Sequence, residues 1–268
     1  MAHKKLGQHF LRNPDILRRV ADALSLQSDD TVIEIGPGRG ALTRVLVESC
    51  KLKVNDLRIV AIEKDEKLAE ELRLRIKDQG LEIITGDALE VLPSLIHDSS
   101  FLIPRYKLVG NIPFYITGKL FRIIGELEHK PETTVLMIQK EVAERVSAKP
   151  PKMNLLAASV QIWADAEMLF EVSCKEFYPR PKVDSAVIRL KVVSCKLTEQ
   201  QRDGYYKLIK ILFKQPRKTI LNNLSDGLHR PKEELLPMLR ALGLDARSRP
   251  QILSVELITK LLELISKP

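Results

Sequence analysis

The sequence predicts an α/β protein, a doubly wound and mostly parallel Rossmann-like sheet over residues 1–193 with a small all-helical region over 194–268. Short apolar runs alternate with stretches of helical spacing up to Val193, and the first run opens into a glycine-rich turn. Beyond Val193 only helical spacing remains, punctuated by Pro216, Pro231, Gly243 and Pro250. Strands that alternate with helices imply right-handed crossovers and a sheet covered on both faces.

The elements follow in order. Ile16, Leu17, Val20, Ala21 and Leu24 recur at helical spacing, and Asn13-Pro14 offers an N-cap and a first-turn proline. Strands are expected at Thr31–Ile35, Arg58–Ile62, Leu81–Ile84, Tyr106–Val109 and Thr133–Gln139, with helices from Ala41, over Glu66 to Lys77 and over Lys140 to Val146. Further strands are expected at Ala158–Trp163 and Ser185–Val193 to complete the sheet, which can then carry an antiparallel edge. Thr198–Phe213, Arg217–Leu224, Lys232–Leu242 and Ser254–Ile265 read as helices.

Composition narrows the class. No apolar stretch reaches the ~20 residues of a bilayer span, and the N-terminus lacks the apolar segment of a secretory signal, so a cytoplasmic protein is expected with no membrane partner. Cys50, Cys174 and Cys195 show neither a disulfide framework nor metal-ligand spacing, and no metal is expected. Net charge is +8, and from Lys196 onward fourteen Lys and Arg stand against eight Asp and Glu. Lys4, Lys5, Arg12, Arg18 and Arg19 form a second basic zone, so a polyanion such as nucleic acid is one candidate partner.

The residues that carry chemistry fall at strand ends. Glu34-Ile-Gly36-Pro-Gly38-Arg-Gly40 lies between strand and helix, where glycines let a ligand approach the backbone. Its G-x-G-x-G spacing departs from the dinucleotide fingerprint, whose third glycine falls one residue later. Glu63 ends the second strand, where a carboxylate can accept from both hydroxyls of a ribose; that suits an adenosine cofactor, S-adenosylmethionine or NAD alike. Asp87 ends the third strand, where it can accept from an adenine amine or cap the helix that follows.

Asn111 follows the fourth strand in G-N-I-P-F, on the same rim. An exocyclic purine amine is a poor nucleophile until its hydrogens are held out of conjugation. The Asn111 carboxamide oxygen and the Ile112 carbonyl are two acceptors that could hold them. Pro113 stiffens the turn, and Phe114 offers a face for a flipped base.

Together L-G-Q-H-F-L (Leu6 to Leu11), E-I-G-P-G-R-G, Glu63, G-D-A (Gly86 to Ala88), N-I-P-F and F-Y-P-R-P-K-V-D-S (Phe177 to Ser185) resemble the ribosomal RNA adenine dimethyltransferases, and F-K-Q-P-R-K-T-I-L-N-N-L (Phe213 to Leu224) is similar to that family's helical-domain motif. The resemblance implies a class I methyltransferase fold. The implied activity is transfer of methyl groups from S-adenosyl-L-methionine to N6 of two adjacent adenines near the 3′ end of small-subunit rRNA, in a pre-30S-like particle and by a monomer. It places His9, Leu11, Gly36, Gly38, Glu63, Lys64, Asp87, Ala88 and Asn111 at the cofactor, and Asn111, Ile112, Pro113, Phe114 and Phe177 at the target base. Phe114 stands where the family more often has Tyr, which keeps stacking and removes a phenolic hydroxyl. Lys4, Lys5, Arg12, Lys214, Arg217 and Lys218 would meet rRNA phosphates.

The implied chemistry is in-line displacement at a sulfonium methyl, repeated on the product, with no dedicated general base. Alternatives are the related large-subunit adenine methyltransferase of antibiotic resistance, a noncatalytic nucleic-acid-binding relative, and an NAD-dependent oxidoreductase.

Overall fold

The computed structural model describes residues 8–53, 57–77, 80–97, 105–194 and 197–266. The chain divides into two compact units, one of residues 1–143 with 165–192 and one of 144–164 with 193–268.

The first unit is built on β2 (Thr31–Ile35), β3 (Arg58–Glu63), β4 (Leu81–Thr85), β5 (Tyr106–Asn111), β6 (Thr133–Gln139), β7 (Ala164–Val172) and β9 (Ser185–Val192), in the order β4-β3-β2-β5-β6-β9-β7. β2 pairs in parallel with both β3 and β5, β3 with β4 and β5 with β6, while β9 is antiparallel to β6. The chain therefore winds outward from β2 through β3 to β4, then returns to β5 on the other side. That reversal between β2 and β5 is the switch point at which open α/β sheets leave a crevice.

The central strands are apolar because both faces are covered: Val32, Ile33, Val60, Leu108 and Val109 are fully buried. Helices α1 (Pro14–Ala23), α2 (Ala41–Lys53), α3 (Glu66–Arg75), α4 (Ala88–His97) and α5 (Thr117–Glu126) connect and flank them. α1 starts where expected, with the Asn13 side chain accepting from the N–H groups of Asp15 and Ile16. α5 has no counterpart in the sequence reading.

Lys107 interrupts the apolar run of β5 and is nonetheless buried. Its Nζ lies 2.6 Å from Asp30 Oδ2, both side chains 4% exposed, and it also donates to the Ser25 carbonyl at 2.8 Å. The same Asp30 oxygen accepts from the Gln27 N–H. A buried ammonium is tolerable here because carboxylate and carbonyl both take its protons.

A second sheet is a two-stranded ribbon. β1 (Phe10–Leu11) runs antiparallel to β8 (Phe177–Tyr178), with Phe10 opposite Tyr178 and Leu11 opposite Phe177. The Arg12 N–H donates to the Glu176 carbonyl, and Asn13 Nδ2 to Glu176 Oε2 at 2.9 Å.

In the second unit, the strand expected at Ala158–Trp163 is corrected: α7 (Leu155–Gln161) occupies it, and β7 begins only at Ala164. Asn154 caps that helix by accepting from the Ala157 N–H, and buried Ala157, Ala158 and Val160 leave a helical face small enough for close packing. The Tyr205 hydroxyl reaches the Ala158 carbonyl at 3.1 Å. The remaining helices are α6 (Lys140–Val146), which leads into this unit, α8 (Glu199–Leu212), α9 (Ile220–Leu228), α10 (Lys232–Ala241) and α11 (Val255–Ile265). The helix expected from Arg217 starts instead at Ile220, because the Thr219 hydroxyl caps it through the Asn222 N–H. Arg217 and Lys218 thereby fall in the turn before it. The helical region expected from residue 194 also takes in residues 144–164. Among the described residues no helix is long and apolar enough to cross a membrane, and no group of His, Cys, Asp or Glu is arranged to hold a metal ion.

Candidate active site

Strand register brings the candidate residues onto one rim. Ile35 lies opposite both Ile62 and Gly110, Glu63 opposite Thr85, and Asn111 opposite Met137. The loops that leave these ends, together with the N-terminal segment and the β8 region, line a cleft that is partly open to solvent. Gly36, Gly38, Glu63, Lys64, Asp87, Ala88, Asn111, Ile112, Pro113, Phe114, Phe177 and His9 all line it. Leu11 does not; it is buried in the core and lines an adjoining groove. Gln8, Phe10, Tyr115, Pro181 and Ser185 line the cleft without having been singled out in the sequence.

Gly110 is fixed by close approach. A Cβ there would lie 2.6 Å from the Ile35 carbonyl oxygen, so β5 can draw against β2 and deliver Asn111 to the rim only with glycine at this position. Gly36 has φ +66°, and a Cβ there would meet nothing within 4 Å. Its backbone therefore borders open cleft, the surface a nucleotide-type ligand needs.

Glu63 is 5% exposed, and its two oxygens accept backbone N–H groups, Oε2 from Gly38 at 2.8 Å and Oε1 from Asp65 at 2.9 Å. Burial raises its pKa while those bonds oppose the rise. Each oxygen keeps lone-pair capacity for a further donor. Asp87 caps α4 by accepting from the Leu89 N–H at Oδ1, and its Oδ2 lies 2.7 Å from Lys64 Nζ. Burial pushes the Asp87 carboxyl up, but the Lys64 contact and the Leu89 N–H outweigh it and hold the pKa below the usual carboxylate range. The capping and rim roles of Asp87 thus coexist on different oxygens.

Asn111 Nδ2 donates to the His9 carbonyl at 2.8 Å. Committing the amide nitrogen to the N-terminal segment leaves Oδ1 as the acceptor end. The His9 ring bonds the Pro179 carbonyl through Nδ1 at 2.7 Å and sits 6.1 Å from the Phe114 ring, tilted by 32°. Asn111, His9, Phe114 and the loop after Phe177 are therefore one connected wall. The ribbon that seats Phe177 was not legible in two-residue strands, which carry no period.

Glu34, on the floor of the adjoining groove, is 2% exposed and accepts from the Thr43 hydroxyl at 2.7 Å. Burial raises its pKa to about 7, against the lowering effect of that bond. It lines that groove and not the cleft.

Of the basic residues expected at RNA, Lys4 and Lys5 lie outside the described residues. Arg12 lies over the Tyr178 ring at 4.2 Å. Lys214, Arg217 and Lys218 are exposed in the α8–α9 turn of the second unit, with Lys218 3.0 Å from Asp226.

A switch-point cleft lined by a glycine turn, a buried carboxylate and an Asn-Ile-Pro-Phe edge, on a mostly parallel sheet whose β9 is antiparallel beside β6, has the architecture of a class I methyltransferase. Comparison with known proteins specifies which kind. The family model for ribosomal RNA adenine dimethylase matches residues 1–267. A ribosomal RNA small subunit methyltransferase A from Dehalococcoides mccartyi is 37% identical over 95% of this chain and 85% of its own. One of the same name from Desulfitobacterium hafniense is 34% identical over 99% and 93%. The crystal structure of a dimethyladenosine transferase from Plasmodium falciparum superposes with a TM-score of 0.75 at 27% identity, covering 94% of this chain and 96% of that one. The 23S rRNA methyltransferase ErmE shares the fold, with a TM-score of 0.75 at 24% identity over 96% and 100%. The chain belongs to the ribosomal RNA adenine dimethylase family, and is an enzyme of the methyltransferase class.

Proposed function

We propose that this protein uses S-adenosylmethionine to methylate N6 of two adjacent adenines near the 3′ end of small-subunit rRNA, leaving each dimethylated, during ribosome assembly. The observation that carries this reading is the commitment of Asn111 Nδ2 to the His9 carbonyl, which leaves the carboxamide oxygen to accept from a target amine in a cleft that Phe114 and Phe177 line.

Gly36 and Gly38 would hold the methionine part of the cofactor, Glu63 its ribose, and Asp87 with Lys64 and Ala88 its adenine; the open backbone at Gly36 and the residual acceptor capacity of Glu63 fit such a ligand. When bound, S-adenosylmethionine supplies an electrophilic methyl group on a sulfonium. The residues of this chain do the rest by placement. Asn111 Oδ1 and the Ile112 carbonyl hold the N6 hydrogens so that the nitrogen lone pair leaves conjugation, and Phe114 and Phe177 stack the extruded base. Both cleft carboxylates are engaged by backbone N–H groups or by Lys64, which supports a binding role for them. With phenyl rather than phenol at Phe114, the added first methyl meets a flat apolar face, which suits a second transfer.

Lys214, Arg217 and Lys218, with Lys4, Lys5 and Arg12, would contact rRNA phosphates. Purified protein incubated with radiolabelled S-adenosylmethionine and undermethylated small subunits is expected to place label in N6,N6-dimethyladenosine of the small-subunit rRNA. Label confined to large-subunit rRNA, or none, refutes the reading.

A further inference from the structure

The dipeptide Phe-Tyr occurs twice at the cleft, as Phe114-Tyr115 and Phe177-Tyr178. Both phenylalanines line the cleft, as does Tyr115, and both tyrosines are mostly exposed, 58% for Tyr115 and 56% for Tyr178. For Phe177 and Tyr178 the cause is strand geometry, since successive residues of β8 point to opposite faces of the ribbon. The two tyrosines differ in company. Tyr115 lies on the side of the Lys64–Asp87 pair, where the hydrogen bond to Asp87 raises the Lys64 pKa and the nearby Tyr115 adds to the rise. Tyr178 lies beneath the Arg12 guanidinium and lines the adjoining groove, whose rim also carries Arg39 and Arg44. That groove meets the cleft along Phe10, Gly36 and Asn111. Neither Arg39 nor Arg44 forms an ion pair with a described residue; Arg39 instead faces the Phe10 ring at 5.0 Å.

We propose that Tyr178, with Arg12 stacked on it, is the platform for the nucleotide beside the target adenine, and that the arginine-rimmed groove takes that nucleotide's phosphate. The proposal rests on the methyl-transfer reading of the cleft and adds to it the seat of the second base. Extruding one of two adjacent adenines uncovers a face of its neighbour, and that lost stacking has to be replaced for extrusion to be cheap. An exposed aromatic one residue from the ring that holds the target, backed by a planar cation, replaces it without reading sequence. The groove's arginines match the charge of a phosphate and do not match an apolar or acidic occupant.

The test is a cycle between protein and RNA. A hairpin RNA carrying the two adjacent adenines, and the same hairpin with an abasic site in place of the neighbour, are titrated with wild type, Tyr178→Ala and Tyr178→Phe. Tyr178→Ala is expected to weaken the intact hairpin by about 5- to 150-fold, from the usual range for one base–aromatic stack. Tyr178→Phe is expected to stay within about twofold of wild type, and all three proteins should bind the abasic hairpin alike. Equal loss on both hairpins, or no loss on the intact one, overturns the platform. Methyl transfer to undermethylated small subunits, measured in parallel, separates the two levels. Transfer by wild type with no effect of Tyr178→Ala refutes the platform alone, whereas no transfer by wild type refutes the reading beneath it.

Discussion

The two ends of the sheet hold buried polar groups in opposite ways. At the base, Asp30 and Lys107 pair with each other, and the Gln27 N–H and the Ser25 carbonyl add one further bond to each. At the rim, Glu63 and Asn111 are held by backbone groups that occupy only part of their capacity. A charge pair closed on itself in the core holds structure, whereas buried acceptors beside open space can still take a ligand. Burial alone does not tell the two apart, since Glu63 at 5% is about as hidden as Asp30 at 4%.

The contrast can be broken from the basal side first. Lys107→Ala leaves a buried, unpaired carboxylate and is expected to cost about 3–5 kcal/mol in denaturant unfolding, while Asp30→Leu with Lys107→Met should recover most of it. S-adenosylmethionine affinity of the folded fraction should not move in either. At the rim the expectation inverts: Asn111→Ala should lower kcat by at least about 100-fold with unfolding stability changed by less than about 1 kcal/mol. Unchanged turnover would remove the amine-holding role.

Glu34 sharpens the comparison, being deep yet with one side-chain partner. Its pKa is about 7 folded and 4.5 in the open chain, so the folded state holds an extra proton between those values. Stability contributed by the protonated form is therefore full below pH 4.5 and is lost as pH rises through about 7. Glu34→Gln keeps an acceptor for Thr43 and should flatten that slope, with a gain of about 1 to 3 kcal/mol above pH 7 in a pH series of unfolding curves. The smallest effect belongs to the second unit. Arg217→Glu with Lys218→Glu should reduce the slope of log affinity against log salt for rRNA by about two, and an unchanged slope excludes that turn from the phosphate contacts.

Sequence reasoning reached the winding of the sheet because β2, β3, β5 and β6 are apolar runs closed by glycine or a polar residue, and strand ends in such a sheet share one rim. It reached Glu63, Asp87 and Asn111 for the same reason. It missed the strand-to-helix exchange at Leu155–Gln161, where Ala157, Ala158 and Val160 fit either period until the Asn154 cap decides. It missed the β1–β8 ribbon because Phe10 and Tyr178 meet only through tertiary structure. The Asp30–Lys107 pair was not foreseen, because its partners lie 77 residues apart in the chain.

The ribbon also sets an order of events during synthesis. Its first strand leaves the ribosome with the opening residues, and its second only when Tyr178 has emerged, so the wall that fixes Asn111 through His9 is completed late. A nascent chain carrying every sheet residue up to Gln139 would have the glycine turn, Glu63 and Asp87 in place yet would lack a closed seat for a base. The wall that joins Asn111, His9 and the loop after Phe177 therefore depends on chain segments far apart in sequence, as a property of chain connectivity rather than of any one side chain.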